Sequence, residues 1–374
     1  MRRFIPVCEP YLNGRELSYV TQAVKSGWIS SSGRYVRDFE ERFAAYCGAK
    51  YAVGVCNGTV ALHLSLVVLG IGKKDEVLIP DFTMAASAFA VCYTGAMPVL
   101  VDARRDTWNM DHEKITHKIT RRTKAIMPVS IFANPCEMDP IRLIAKKHGL
   151  KVIEDAAESH GSLYKGRKTG SLATVTAFSF YANKNLTTGE GGILVTDDRK
   201  LYERALYFRN MCFALSGLRN YIHGDIGYNY RMTNMTAALG LAQVEKADFY
   251  VRRRIQNAEL YRSHLSKIPG IVLQQRYPHV LQAQWMNGLV VDPSVYGHTR
   301  DELMKHLSKN GIDSRLFFVG MHRQPFFSKY GGDVSGKYPV SDHLSKNGLY
   351  LPSGGRLSPK DIRSICRMVA EFQR

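Results

Sequence analysis

The chain has 374 residues, enough for two domains, and its 45% apolar and 22% charged side chains exclude intrinsic disorder. Its 51 Lys and Arg against 33 Asp and Glu leave a net charge of +18, which raises the question of a polyanionic partner. Seven cysteines (8, 47, 56, 92, 136, 212 and 366) with no C-x-x-C pair argue against a disulfide framework and against a thiolate zinc site.

In chain order, the first ten residues are basic, but Pro6, Glu9 and Pro10 break any apolar run, so they do not read as a signal peptide. From 51 onward short apolar runs alternate with helical patterns. Strands are predicted at 51–56, 76–80, 98–102, 124–132, 151–155, 174–181 and 192–196. Helices are predicted at 59–69, 83–93, 111–120 and 139–148. The stretch 84–101 is the most apolar, yet Gly95 and Pro98 break it and it is too short to span a bilayer. Strands that do not alternate polar with apolar are covered on both faces, which predicts an α/β fold with a mostly parallel sheet between helices. A long helix is expected from 233 towards 260, then strands at 271–273 and 288–291 and helices at 300–309 and 359–372. The expected division is a large domain, 1–245, and a smaller α+β domain, 246–374. A reduced, cytoplasmic chain without a metal or membrane partner is the expectation.

Three places carry chemistry. At Val55-Cys56-Asn57-Gly58-Thr59 a strand turns into a helix, whose free N–H groups and dipole favour an anion. An ordinary turn capped by Thr59 explains the same residues. No G-x-G-x-x-G follows any predicted strand, so a dinucleotide fingerprint is missing. At Val152-Ile153-Glu154-Asp155-Ala156-Ala157-Glu158-Ser159-His160, acids and a histidine cluster at a strand's carboxyl end, where open α/β sheets bind ligands. At Phe178-Ser179-Phe180 through Lys184 to Gly189-Glu190-Gly191-Gly192, a lysine follows an apolar strand, the setting in which desolvation makes it a nucleophile. An anion cradle, an acid and an amine are what pyridoxal phosphate requires for its phosphate, ring nitrogen and aldehyde.

These three motifs occur, with Gly227-Tyr228-Asn229-Tyr230-Arg231, Trp28-Ile29-Ser30-Ser31-Ser32-Gly33 and Phe39-Glu40, in an order that resembles the DegT/DnrJ/EryC1/StrS family of sugar-nucleotide aminotransferases. The resemblance covers nearly the whole chain. It implies the aspartate-aminotransferase fold (fold type I), with a seven-stranded large-domain sheet and pyridoxal 5'-phosphate as cofactor. It implies Lys184 as the catalytic residue that holds the cofactor and later moves a proton. It further implies Asp155 on the ring nitrogen and Gly58, Thr59 and Ser179 on the phosphate. Asn229 would reach the cofactor of a second subunit, in a homodimer whose sites are completed across the interface. Glu158 stands where many relatives carry Gln, and Met84 stands where an aromatic commonly stacks on the cofactor ring. Asp313-Ser314-Arg315 with Phe317-Phe318 resembles the members that aminate C4 of a GDP-linked 4-keto-6-deoxy sugar, with L-glutamate as donor. Trp28, His160, Arg219, Tyr221, His223, Arg315 and His322 are the candidate contacts to the nucleotide sugar.

Amination at C3 or C4 of a dTDP- or UDP-linked keto sugar, and a non-catalytic regulator of the same fold, are the competing readings. Loss of Lys184, Asp155 or Ser179 would favour the regulator, and all three are present. Nucleic acid is not an expected partner, because Arg104-Arg105, Arg121-Arg122 and Arg252-Arg253-Arg254 are dispersed and no nucleic-acid motif accompanies them.

Overall fold

The structure is a computed structural model that describes residues 4–215 and 221–373. Seven strands form the central sheet: β1 (Tyr51–Val55), β2 (Glu76–Pro80), β3 (Met97–Val101), β4 (Thr123–Ile126), β5 (Lys151–Asp155), β6 (Val175–Ser179) and β7 (Gly192–Thr196). Their spatial order is β1-β7-β6-β5-β4-β2-β3. Only β7 runs against its neighbours, β1 and β6; the other pairings are parallel, as the sequence pattern predicts.

The pleat sends alternate side chains of each strand into two layers. One layer is supplied by α1 (Glu16–Lys25) and α2 (Arg34–Cys47), which the strand pattern does not anticipate. Phe178, Ile193 and Val195 join it, with Phe39 and Phe43 of α2. The spacing of Tyr35, Val36, Phe39, Phe43 and Ala44 carries the helical signal for α2. Phe43 packs edge-on against Phe178 and Phe180, and its truncation to Ala would cost about 3–5 kcal/mol. Ala177 and Leu194 point the other way. They meet Leu62 and Leu64 of α3 (Gly58–Val68), in a layer shared with Ala88 and Val91 of α4 (Ala85–Tyr93).

Three further expectations need correction. The strand predicted at 124–132 ends at Ile126, because Pro128 has no N–H to donate and the chain then turns through Phe132 at φ +52°. The predicted 111–120 helix is one short turn, His112–Ile115, and a 3₁₀ turn. The long helix from 233 is two helices, α5 (Asn234–Glu245) and α6 (Ala247–Leu265), broken at Lys246. After them comes a second, antiparallel sheet of β8 (Ile271–Leu273), β9 (Asn287–Val291), β10 (Arg315–Leu316) and β11 (Gly348–Leu351), in the order β8-β9-β11-β10. The N-terminal segment runs along this region, Ile5 pairing with Ile312. Among the described residues, no helix is long and apolar enough to cross a membrane, and no cluster of three or more His, Cys, Asp or Glu is arranged to hold a metal.

Candidate active site

The carboxyl ends of β1, β5 and β6 open on one cavity of about 670 Å³. Its first wall is α3, which starts where it does because Asn57 is extended and its side chain accepts the Val60 N–H at 2.9 Å. The cap is thus Asn57 rather than Thr59. Gly58 and Thr59 are left in the first turn, their N–H groups without a carbonyl one turn back. A Cβ on Gly58 would lie 2.6 Å from Ser179 Cβ, so only glycine lets the helix end sit flush against β6. Gly192 pairs with both Val55 and Ser179, and a Cβ there would come within 2.2 Å of the Asn57 carbonyl. The result is a narrow cradle of neutral donors at a helix N-terminus, the geometry that binds phosphate.

The second wall is charged. Asp155 ends β5, is buried, and accepts the Ser87 hydroxyl at 2.7 Å and the Ala157 N–H at 3.1 Å. Burial raises its pKa, opposed by those two donors and by Lys184. Glu158, in the turn after β5, accepts the Phe132 N–H at 2.7 Å. Burial raises Glu158 too, and the Lys184 charge pulls it back. Lys184 keeps part of its surface open to the cavity while protein surrounds it; its Nζ lies 3.6 Å from the centre of the Trp285 ring, a cation–π contact. Its pKa falls through burial, which outweighs the opposing Glu158 and Asp155 carboxylates. A lysine so placed holds less of its charge than one in water, the condition for a nucleophilic amine.

The remaining wall is apolar: Met84, Trp285, Phe318 and Tyr350 line it. Met84 is 55% exposed and sits at the cavity side, so it is not a core residue. Sequence reasoning missed Ser87, Trp285 and Tyr350. Ser87 left a faint signal, a hydroxyl inside the otherwise apolar α4. Trp285 and Tyr350 left none, since they approach from the second sheet far along the chain.

The structure brings Gly58, Thr59, Met84, Asp155, Glu158, Ser179 and Lys184 to this one cavity. It does not bring the predicted sugar contacts there. His160 is fully buried behind the sheet against Phe43, Phe178 and Phe180, and neither ring nitrogen has a partner among the described residues. His322 is held between Asp81, at 2.8 Å, and Asp342, at 3.2 Å, and stacks on Tyr338. Arg315 pairs with Asp313 on an exposed strand. His223 rests on Phe213 and the Met211 carbonyl, with Tyr221 beside Phe213. Trp28 is exposed and borders a separate groove with Tyr35 and Asn234. Asn229 is exposed and faces Asn210 across an isolated bridge. Arg219 lies outside the described residues.

The donors, acid and amine therefore fit pyridoxal phosphate: a cradle that a Cβ would fill, a buried carboxylate and a partly discharged lysine share one cavity. Comparison with known proteins points the same way. The profile of the DegT/DnrJ/EryC1/StrS aminotransferase family matches residues 10–370. The chain is 42% identical to the GDP-perosamine synthase of Escherichia coli O157:H7 over 371 residues, covering 99% of both chains. It is 41% identical to the GDP-perosamine synthase of Caulobacter vibrioides over 365 residues, 96% of each. It superposes on a crystal structure of S. venezuelae DesV in complex with a ketimine intermediate with a TM-score of 0.90, at 35% identity, covering 96% of this chain and 94% of that one.

Proposed function

The chain belongs to the DegT/DnrJ/EryC1/StrS aminotransferase family, and from that premise we propose that it moves the amino group of L-glutamate to C4 of a GDP-linked 4-keto-6-deoxymannose, giving GDP-perosamine and 2-oxoglutarate. The observation that carries this reading is the convergence of the Gly58–Thr59 helix end, Asp155 and Lys184 on one cavity, in a chain whose relatives of 41–42% identity are GDP-perosamine synthases.

Bound pyridoxal phosphate would supply an aldehyde to carry the amino group and a protonated ring to draw electrons from the reacting carbon. The N–H groups of Gly58 and Thr59 and the Ser179 hydroxyl would bind the phosphate, whose charge the α3 dipole favours. Asp155, fixed by Ser87, would accept the ring N–H and favour that nitrogen's protonated form. Lys184 Nζ would hold the cofactor's aldehyde, and as the amine of the cavity it is the base that would take and return the proton at the reacting carbons. Glu158 and Met84 line the same cavity and would border the ring, the first offering a carboxylate and the second a thioether.

A homodimer completes this site. Asn229 is exposed and does not line its own cavity. Ile222 and Ile226, just before it in the chain, are exposed and apolar, as are Trp28 and Ile29. A second copy covering that surface would let Asn229 reach the partner's phosphate. Residues 1–245 form the cofactor-binding unit in this reading and 246–374 the smaller one, with the helix break at Lys246 between them. We assign the reaction to the cytoplasm, where the seven free thiols stay reduced.

The test is a panel of GDP-, dTDP- and UDP-linked 4-keto and 3-keto sugars with glutamate, read by product mass and by NMR of the aminated carbon. Preferred turnover of the GDP-linked 4-keto sugar is expected. Turnover with 3-keto sugars alone would overturn the assignment.

A further inference from the structure

Near the cavity lies a buried cation that makes no ion pair among the described residues. Arg254, in α6, is 5% exposed and makes hydrogen bonds only to neutral acceptors. Its Nη1 donates to the carbonyls of Trp285, at 2.9 Å, and Ser353. Its Nη2 donates to the Asn183 carbonyl at 3.3 Å and to Cys8 Sγ at 3.4 Å. A buried guanidinium without a carboxylate is costly, so its contacts must offset that cost.

Those contacts converge on the peptide that precedes Lys184. The Asn183 carbonyl accepts from Arg254, from the Trp285 indole N–H at 2.9 Å and from the Cys8 thiol at 3.4 Å. Trp285 is thereby held at both ends, its carbonyl by Arg254 and its indole by Asn183, with its ring against Lys184 Nζ. We propose that Arg254 is the positioning residue of the reacting lysine: it locks the 183–184 peptide, the Trp285 segment, the Ser353 loop and the N-terminal segment into one unit that fixes Lys184 Nζ over the indole. This rests on the reading of Lys184 as the cofactor-bearing amine.

The fixed charge acts as well as the fork. The groups that face Lys184 are Asp155 and Glu158, which favour its protonated form, the Cys8 thiol, and Arg254, which disfavours it. His160, behind the sheet, is neutral, its pKa lowered to about 3 by burial and by Lys184. Arg254 is therefore the one cation in that set, and removing it lets Lys184 hold a proton to higher pH.

The test uses holoenzyme of the parent, Arg254→Met and Arg254→Lys. Three readouts are taken: the pH titration of the cofactor's visible band, kcat and KM for glutamate, and the site of cofactor attachment after hydride trapping and peptide mass mapping. Arg254→Met should raise the titration midpoint above the parent's. Arg254→Lys keeps the charge but not the fork, so its midpoint should stay near the parent's while kcat falls about tenfold and KM changes less than about twofold. If the trapped cofactor is not on Lys184 in the parent, the reading of the site falls and the proposal with it. If it is on Lys184 and Arg254→Met titrates and turns over like the parent, only the role of Arg254 falls. Should Arg254→Met fail to fold, a parental kcat in Arg254→Lys overturns the proposal by itself.

Discussion

Glu154 and Asp155 are neighbours on β5, both buried, yet the two faces of the sheet give them opposite surroundings. On the cavity face, Asp155 meets the Ser87 hydroxyl, a backbone N–H and the Lys184 charge. On the back face, Glu154 accepts from the Gly170 N–H and the Thr176 hydroxyl with one oxygen, while the other has no partner among the described residues. His160 sits in that same layer with both nitrogens unpartnered among phenylalanines. Burial alone therefore does not make a site. Polar groups on one face converge on space a ligand can fill; those on the other face are enclosed by packed side chains and act only on stability.

That difference is open to breaking by substitution on either face. The largest effect belongs to Lys184→Ala, which removes the proposed attachment point and base. It should lower kcat by at least about 10⁴-fold with the fold unchanged by circular dichroism. Near-parental turnover would erase the distinction between the faces. Asp155→Asn comes next: it replaces the proposed charged partner of the ring nitrogen with a neutral amide, and steady-state assays should show a loss of about 10²–10³-fold in kcat.

The back-face variants should behave in reverse, sparing catalysis and changing stability with pH. Burial raises the Glu154 carboxyl from 4.5 to about 7. The folded state therefore binds more protons than the unfolded state in that window, and this group's stabilisation, complete below about pH 4.5, is lost as pH rises towards 7. Glu154→Gln should flatten that decline by up to about 3 kcal/mol between pH 5 and pH 8 in urea unfolding. The smallest effect is expected from His160→Phe. The folded ring titrates at about 3 instead of 6.5, so its contribution is present above pH 6.5 and is lost as pH falls towards 3. The variant should gain about 1–2 kcal/mol at pH 5 relative to pH 8, with kcat within about twofold of the parent. A large loss of kcat here would place His160 in the chemistry after all.

Why the sequence makes one face legible and hides the other follows from the pleat. Along the chain, Glu154-Asp155-Ala156-Ala157-Glu158-Ser159-His160 is one polar cluster, and His160 looks as available as Asp155. A period of two separates Glu154 from Asp155, and the turn after β5 carries His160 behind the sheet. Asp155, Ser179 and Lys184 were legible because each lies at or just beyond a strand's carboxyl end, where chain order already implies convergence. Trp285 and Arg254 were not, because their places depend on how the second sheet and α6 meet the first, and no local spacing encodes that. The net charge of +18 also takes a narrower meaning. The cavity's anion cradle is built from neutral donors, so the surface charge is left to steer phosphorylated substrates rather than to hold them.

The most direct measurement is a crystal structure of the protein with pyridoxal phosphate bound. Electron density should be continuous with Lys184 Nζ, with the ring nitrogen at the Asp155 carboxylate and the phosphate on the N–H groups of Gly58 and Thr59 and the Ser179 hydroxyl. A phosphate seated elsewhere, or a ring nitrogen away from Asp155 with Lys184 free, would contradict the assignment of this cavity as the cofactor site.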